Sequence, residues 1–104
     1  MIRFRRLRKN ETIRSLVRET RLSKDQLIQP FFVMEGKNRQ EAIPSMPGMY
    51  RFSIDLLLKA VERYQASGGH AGLFFGIPPQ SKKDLKGSQA YSSSGIIQKA
   101  VAVI

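Results

Sequence analysis

The chain has 104 residues, 41% of them hydrophobic, no cysteine and no tryptophan, and its 18 Lys and Arg against 8 Asp and Glu give a net charge of +10. That is one domain's worth of chain at most, apolar enough for a core and too apolar for a disordered segment. The lack of cysteine excludes a disulfide framework or a thiolate metal site within these residues. No apolar run approaches the roughly 20 residues of a bilayer span and no secretory pattern is legible, so a cytoplasmic setting is expected, with an organelle still open.

The charge gathers at the front, where Arg3, Arg5, Arg6, Arg8, Lys9, Arg14, Arg18 and Arg21 are offset only by Glu11 and Glu19. Clustered guanidiniums gain free energy from any dense polyanion by counterion release, so nucleic acid, anionic lipid or service as an organellar presequence all fit the composition. An arm lying along a neighbouring subunit is the plainer reading. Residues 1–9 carry too much like charge for an isolated helix and alternate too irregularly for a strand. Asn10 can cap a helix reaching about residue 20, because Ile13, Leu16 and Val17 fall at i, i+3 and i+4. This narrow stripe needs a surface to cover it. Ser23 to Gln26 reads as a capping box and starts a single turn.

Residues 27–34, LIQPFFVM, are nearly continuously apolar and rich in β-branched and aromatic side chains, the pattern of a strand buried on both faces of a parallel sheet. Pro30 is compatible with it only near the strand's start or at a bulge. A long loop with Gly36, Pro44, Pro47 and Gly48 is expected over 35–51. Ser53 then caps a helix in which Ile54, Leu57, Leu58, Val61 and Tyr64 recur at helical spacing, with Asp55 in the first turn and Gly68-Gly69 closing it. Residues 70–77, HAGLFFGI, predict a second buried strand stopped by Pro78-Pro79. A polar loop runs to Ser94, and a last helix is expected from there to Ile104, where its apolar face has neither cap nor partner and continuation is expected. The order of strand, helix, strand, helix is the opening of a parallel α/β array.

Individual side chains offer little chemistry. His70 has no second histidine or carboxylate at ligand spacing and reads as structural or solvated. Lys82, Lys83 and Lys86 read as a solvated loop cluster, since a Schiff-base lysine needs a desolvated pocket or a cationic neighbour. Tyr91 and Ser92 to Ser94 have no base placed to activate them and read as a helix start. Neither a dinucleotide fingerprint nor a P-loop occurs. Phe31-Phe32 and Phe74-Phe75 sit inside apolar strands and read as core rather than as base-stacking platforms.

Five ordered segments nevertheless carry a likeness: RFRRLRKNETIRSLVRET, LSKDQLIQPFFVMEG, IPSMPGMYRFSID, GLFFGIPPQSKKDLKGSQAY and GIIQKAV. Together they resemble the N-terminal portion of porphobilinogen synthase, or 5-aminolaevulinate dehydratase. The resemblance implies an α/β fold: a basic N-terminal arm with a short helix over 1–26, then over 27–104 the first two βα units of a TIM (β/α)8 barrel, truncated. It implies that two 5-aminolaevulinate molecules are condensed into porphobilinogen on the route to haem and other tetrapyrroles. It implies zinc or magnesium in the complete enzyme and a homo-octamer in which the arm wraps a neighbour. Arg3, Arg5, Arg6, Leu7, Arg8, Ile13, Leu16 and Val17 are then subunit-interface residues. The Schiff-base lysines and metal ligands fall beyond residue 104, so no catalytic, cofactor or metal residue is assigned here and the chain alone is expected to be inactive. One departure is Ser92-Ser93-Ser94-Gly95, where relatives commonly carry an acidic stretch. Two further readings remain from the residues: a short protein docking on full-length synthase, and a basic nucleic-acid-binding module.

Overall fold

The computed structural model describes residue 2 and residues 4–104. A 3-10 turn at Arg6–Arg8 precedes helix α1, Glu11–Val17. Asn10 caps α1 as expected, accepting the Ile13 N–H at 2.9 Å. The helix stops at Val17 rather than near residue 20, because Arg18 is already extended and the Arg21 guanidinium turns back to the Ser15 carbonyl. The Ser23 capping box is present in full and starts the turn Lys24–Gln26.

Four strands form one sheet in the order β2-β3-β1-β4. They are β1, Ile28–Met34; β2, Gln40–Ala42; β3, Tyr50–Phe52; and β4, Ala71–Ile77. β1 and β4 are parallel and paired over seven positions from Ile28 with Ala71 to Met34 with Ile77. β3 is parallel to β1 at Phe32 with Arg51 and Val33 with Phe52, and antiparallel to β2. Pro30 is tolerated in this central strand because it lies near its start, before β3 begins to pair. The expectation of a plain long loop over 35–51 is therefore corrected: it folds back as the β2–β3 hairpin. Three-residue strands are too short for a legible period of two.

Helix α2, Ile54–Ala66, lies on one face of the sheet together with α4, Ile96–Val103. A four-residue helix α3, Ser88–Tyr91, interrupts what was expected to be a polar loop. Phe31, Val33, Leu57, Val61, Ile96 and Ala100 are buried together, with Phe52, Ile54, Tyr64, Phe74 and Ile97 packed around them. Phe31 stacks on Phe74 at 5.3 Å and meets Tyr64 edge-on at 5.7 Å, so odd-numbered β1 and even-numbered β4 positions build the helix-covered face. Gly76 is needed there: a Cβ would lie 2.7 Å from Ile97 Cγ1 and 2.8 Å from Ile96 Cγ2. At the far end of α2, Gly68 adopts φ +97° and the Gly69 N–H reaches back to the Tyr64 carbonyl, the glycine-closed end the sequence predicts.

The opposite face differs from expectation. Phe32 stacks on Phe75 at 5.5 Å, but Phe75, Leu73 and Ile28 remain 45%, 52% and 64% exposed. The two strands are thus covered throughout on the helix face, whereas on the second face Met34 is buried at the carboxyl end and Ile28, Leu73 and Phe75 are left open.

The start of α2 is pinned to the hairpin. Ser53, fully buried, accepts the Arg39 N–H at 3.0 Å through its hydroxyl, which in turn donates to Asp55, while the other Asp55 oxygen accepts the Asn38 N–H at 2.8 Å. Ser53 therefore caps by position but spends its side chain on the hairpin rather than on the helix.

Two outcomes follow. Gly76→Val forces a branched side chain into Ile96 and Ile97 and is expected to cost about 1–3 kcal/mol; an unchanged urea midpoint would show that α4 is not seated as described. The Ser53 hydroxyl, then the Asn38 N–H, hold the Asp55 carboxyl below its ordinary value. A depressed folded value contributes stability that is complete above the unfolded aspartate value of about 3.9 and is lost as pH falls through the lower folded value. Asp55→Asn should accordingly be less stable than the parent at pH 7, with the gap closing below about pH 4, in paired denaturation curves.

Candidate functional site

In sheets of this kind chemistry gathers where parallel strands end at their carboxyl edge. Here that edge is formed by Met34, Phe52 and Ile77 and by the segments that follow them. The segments are tied together: Lys82 Nζ donates to Glu35 Oε1 at 2.8 Å, joining the loop after β4 to that after β1. Arg39 bonds the Glu35 carbonyl at 3.3 Å and Glu41 Oε1 at 2.5 Å.

After β4, Asp84 organises the chain into α3. Its carboxylate accepts the Lys86 N–H at 3.1 Å, the Ser88 N–H at 3.0 Å and the Ser88 hydroxyl. The Ser88 hydroxyl first, then the Ser88 and Lys86 N–H groups, hold the Asp84 carboxyl below its ordinary value. A cavity of about 470 Å³ lies between this loop and α4, lined among others by Gly76, Pro78, Lys82, Asp84, Ile97 and Gln98. Gln98 closes one side by donating to the Ala90 carbonyl at 2.7 Å. The walls combine apolar side chains with polar groups, of which Lys82, Asp84, Ser88 and Gln98 are engaged in hydrogen bonds. Lys82 is ion-paired and half exposed and Lys83 and Lys86 are exposed, so none sits in the desolvated pocket a Schiff-base amine requires. Tyr91 is 69% exposed, and Ser92 bonds Ser94, hydroxyl to hydroxyl at 3.0 Å, with Gly95 rather than Ser94 at the α4 start.

His70 lies at the other end of β4. Its Nε2 is 2.9 Å from Asp25 Oδ1, both side chains being exposed, and Lys24 Nζ donates to the Ser67 carbonyl at 2.9 Å. The histidine joins the turn Lys24–Gln26 to the start of β4. Asp25 is the partner that residue spacing could not reveal, because 45 positions separate the two.

The arm residues separate into two groups. Leu7 and Val17 meet in a shallow groove with Phe4, Arg8, Arg14 and Arg18. Ile13 is half-buried, Leu16 is 75% and Val17 45% exposed. Arg5 and Arg6 are exposed and do not line the groove, and Arg3 lies outside the described residues. Arg14 and Arg18 bind Glu11 at 2.9 and 3.0 Å, and these bonds, Arg14 first, hold the Glu11 carboxyl below its ordinary value. Phe4, Arg14 and Arg18 are thus interface candidates beyond those the sequence singled out; Phe4 amid arginines was the available signal.

One more residue was hidden in the expected loop. Arg51 of β3 has its Nε buried without a hydrogen-bond partner. Among the described residues no group of three or more His, Cys, Asp or Glu side chains could hold a metal ion, and no helix is long and apolar enough to cross a membrane.

Comparison with known proteins places this geometry. Residues 1–104 match the family described as delta-aminolevulinic acid dehydratase. The delta-aminolevulinic acid dehydratase of Methanothermus sociabilis is 54% identical over 98% of this chain and 31% of its own length, and that of Ruminiclostridium josui is 48% identical over 98% of this chain and 49% of its own. The crystal structure of the Toxoplasma gondii enzyme, in complex with the reaction product porphobilinogen, superposes with a TM-score of 0.90 at 33% identity over 99% of this chain and 29% of that one. The chain thus spans between about a third and a half of these relatives. With the whole sequence matched and the mixed α/β sheet reproduced, the chain belongs to the delta-aminolevulinic acid dehydratase family.

Proposed function

We propose that this chain is the N-terminal part of a porphobilinogen synthase, the enzyme that condenses two molecules of 5-aminolaevulinate into porphobilinogen for tetrapyrrole synthesis. The observation that carries the reading is the family match over residues 1–104 at about a third of the relatives' length. Residues 1–26 act as the arm and residues 27–104 as the first two βα units of the barrel, with β1 and β4 as barrel strands and α2 and α4 as the helices behind them. The exposed face bearing Ile28, Leu73 and Phe75 becomes the barrel interior once further strands close it. The β2–β3 hairpin and the loop from Gln80 to Ser94 form part of the rim at the carboxyl edge.

The chemistry belongs to residues that this segment does not contain. Both Schiff-base lysines lie later in the family's sequence, as do the ligands of the zinc or magnesium of the complete enzyme, and no group of three or more His, Cys, Asp or Glu that could hold a metal ion is found among the described residues. What this segment does is mechanical: it holds two rim loops together through Glu35 and Lys82, and offers a groove of Phe4, Leu7 and Val17 between arginines to a neighbouring subunit. A homo-octamer in the cytoplasm is the proposed assembly and setting.

Two experiments test this. The complete protein, supplied with zinc or magnesium, should convert 5-aminolaevulinate to porphobilinogen in a colorimetric pyrrole assay, whereas residues 1–104 alone should not; a folded, metal-supplied complete protein that makes no pyrrole overturns the assignment. Replacing Leu16 and Val17 together by Asp should reduce the octamer to smaller species in light scattering, because charge is then buried at an apolar contact. An unaltered mass would remove the arm from the interface.

A further inference from the structure

The register of the sheet puts Arg51 in an unusual position. Its neighbour on β1 is Phe32 and its neighbour on β2 is Glu41. The next pair along, Phe52 with Val33, belongs to the helix-covered core. Alternation therefore places Arg51 on the opposite face, beside the Phe32–Phe75 stack and one residue from the carboxyl end of β3. Its cross-strand neighbour Glu41 is already engaged by Arg39 at 2.5 Å. None of the ion pairs among the described residues includes Arg51, and its Nε is buried without a partner.

Arg51 is half-buried and its Nε is the guanidinium atom held away from solvent without a partner, so an acceptor reaching this edge of the fork would satisfy it. Leaving a buried donor unpaired costs the full desolvation of that group, and a charge costs more. The planar fork of arginine matches the two oxygens of a carboxylate. We infer that Arg51 is a carboxylate-binding residue of the closed barrel, its partner arriving on the open face at the carboxyl edge. Two sources share that chemistry: the carboxylate of 5-aminolaevulinate, and an Asp or Glu side chain of the strands that complete the barrel. The inference rests on the reading of this chain as part of a porphobilinogen synthase.

The test uses the complete enzyme with Arg51→Gln, Arg51→Lys and Glu41→Gln variants. Each is assayed for kcat and KM with 5-aminolaevulinate, and its thermal midpoint is followed from pH 8 to pH 4. If the partner is substrate, Arg51→Gln raises KM about 10-fold to 100-fold, the loss of one charged hydrogen-bonded contact, at an unchanged midpoint, and Arg51→Lys recovers part of the affinity. If the partner is a side chain of the barrel, KM holds but the midpoint of Arg51→Gln falls at neutral pH, and its gap from the parent closes as the pH approaches 4 and the carboxylate protonates. A purely steric role would leave that gap independent of pH. The inference is overturned if Arg51→Gln matches the parent in KM and shows no pH-dependent gap, or if Glu41→Gln reproduces its effects, which would make Glu41 the partner. A parent enzyme with no activity on 5-aminolaevulinate would instead sink the functional proposal, and the pH-dependent gap would still report on Arg51.

Discussion

The parallel ladder between β1 and β4 is the interaction on which the rest depends. Its seven paired positions fix the register of every side chain on both strands, so that Phe31, Val33, Phe74 and Gly76 face the helices while Phe32, Leu73 and Phe75 face away. A slip of one residue would exchange the two sets and put Phe75 where Ile96 and Ile97 must approach. Gly76 is the point at which ladder and helix meet most closely, and the small residue there sets how near α4 can lie. The two faces then have different fates: one is sealed by Leu57, Val61 and Ala100, the other keeps large apolar side chains in contact with solvent.

How much of this was legible in the sequence follows the range of the interactions. α2 was legible because Ile54, Leu57, Val61 and Tyr64 repeat over about three turns and Gly68 ends the pattern with the backbone angle that glycine favours. Asn10 and Ser23 were equally legible, since a cap concerns residues three apart. β2 and β3 were not, because three residues give no period and their pairing spans a turn containing two prolines. The burial of β1 and β4 was half right for a related reason: an apolar strand signals that both faces will be covered, but not whether the covering belongs to the same stretch of chain. Within the candidate site the family was legible from ordered motifs, whereas the Lys82 link to Glu35 and the Asp25 link to His70 join residues 47 and 45 positions apart and needed the fold.

The net charge of the arm is partly spent within the arm itself. Eight cations in the first 21 residues suggest a polyanion ligand, yet Glu11 alone engages two of them and a third, Arg21, caps the end of α1. These bonds hold guanidiniums against the helix rather than splayed toward a phosphate backbone. Among the polar residues it exposes the helix also leaves Leu16 outward, with Phe4 and Leu7 along the groove beside it. An apolar strip with charges tied at its margins is the composition of a protein-docking surface, in which the centre excludes water and the rim stays polar.

The polar contacts are also divided between the two ends of the ladder, and the division matters. At the amino end, Lys24 reaches the Ser67 carbonyl just after α2 and Asp25 meets His70, so the turn that follows the arm is joined to the amino edge of the sheet. At the carboxyl end, Glu35, Arg39, Asp84 and Lys82 shape loops without spending any nucleophile or base, and Arg51 stands beside them with an unsatisfied donor. A segment organised in this way supplies geometry at the carboxyl edge of its parallel strands. Glu35, Arg39, Asp84 and Lys82 are engaged with one another or with nearby backbone and side chains, while the Arg51 Nε is the buried side-chain donor without a partner among the described residues.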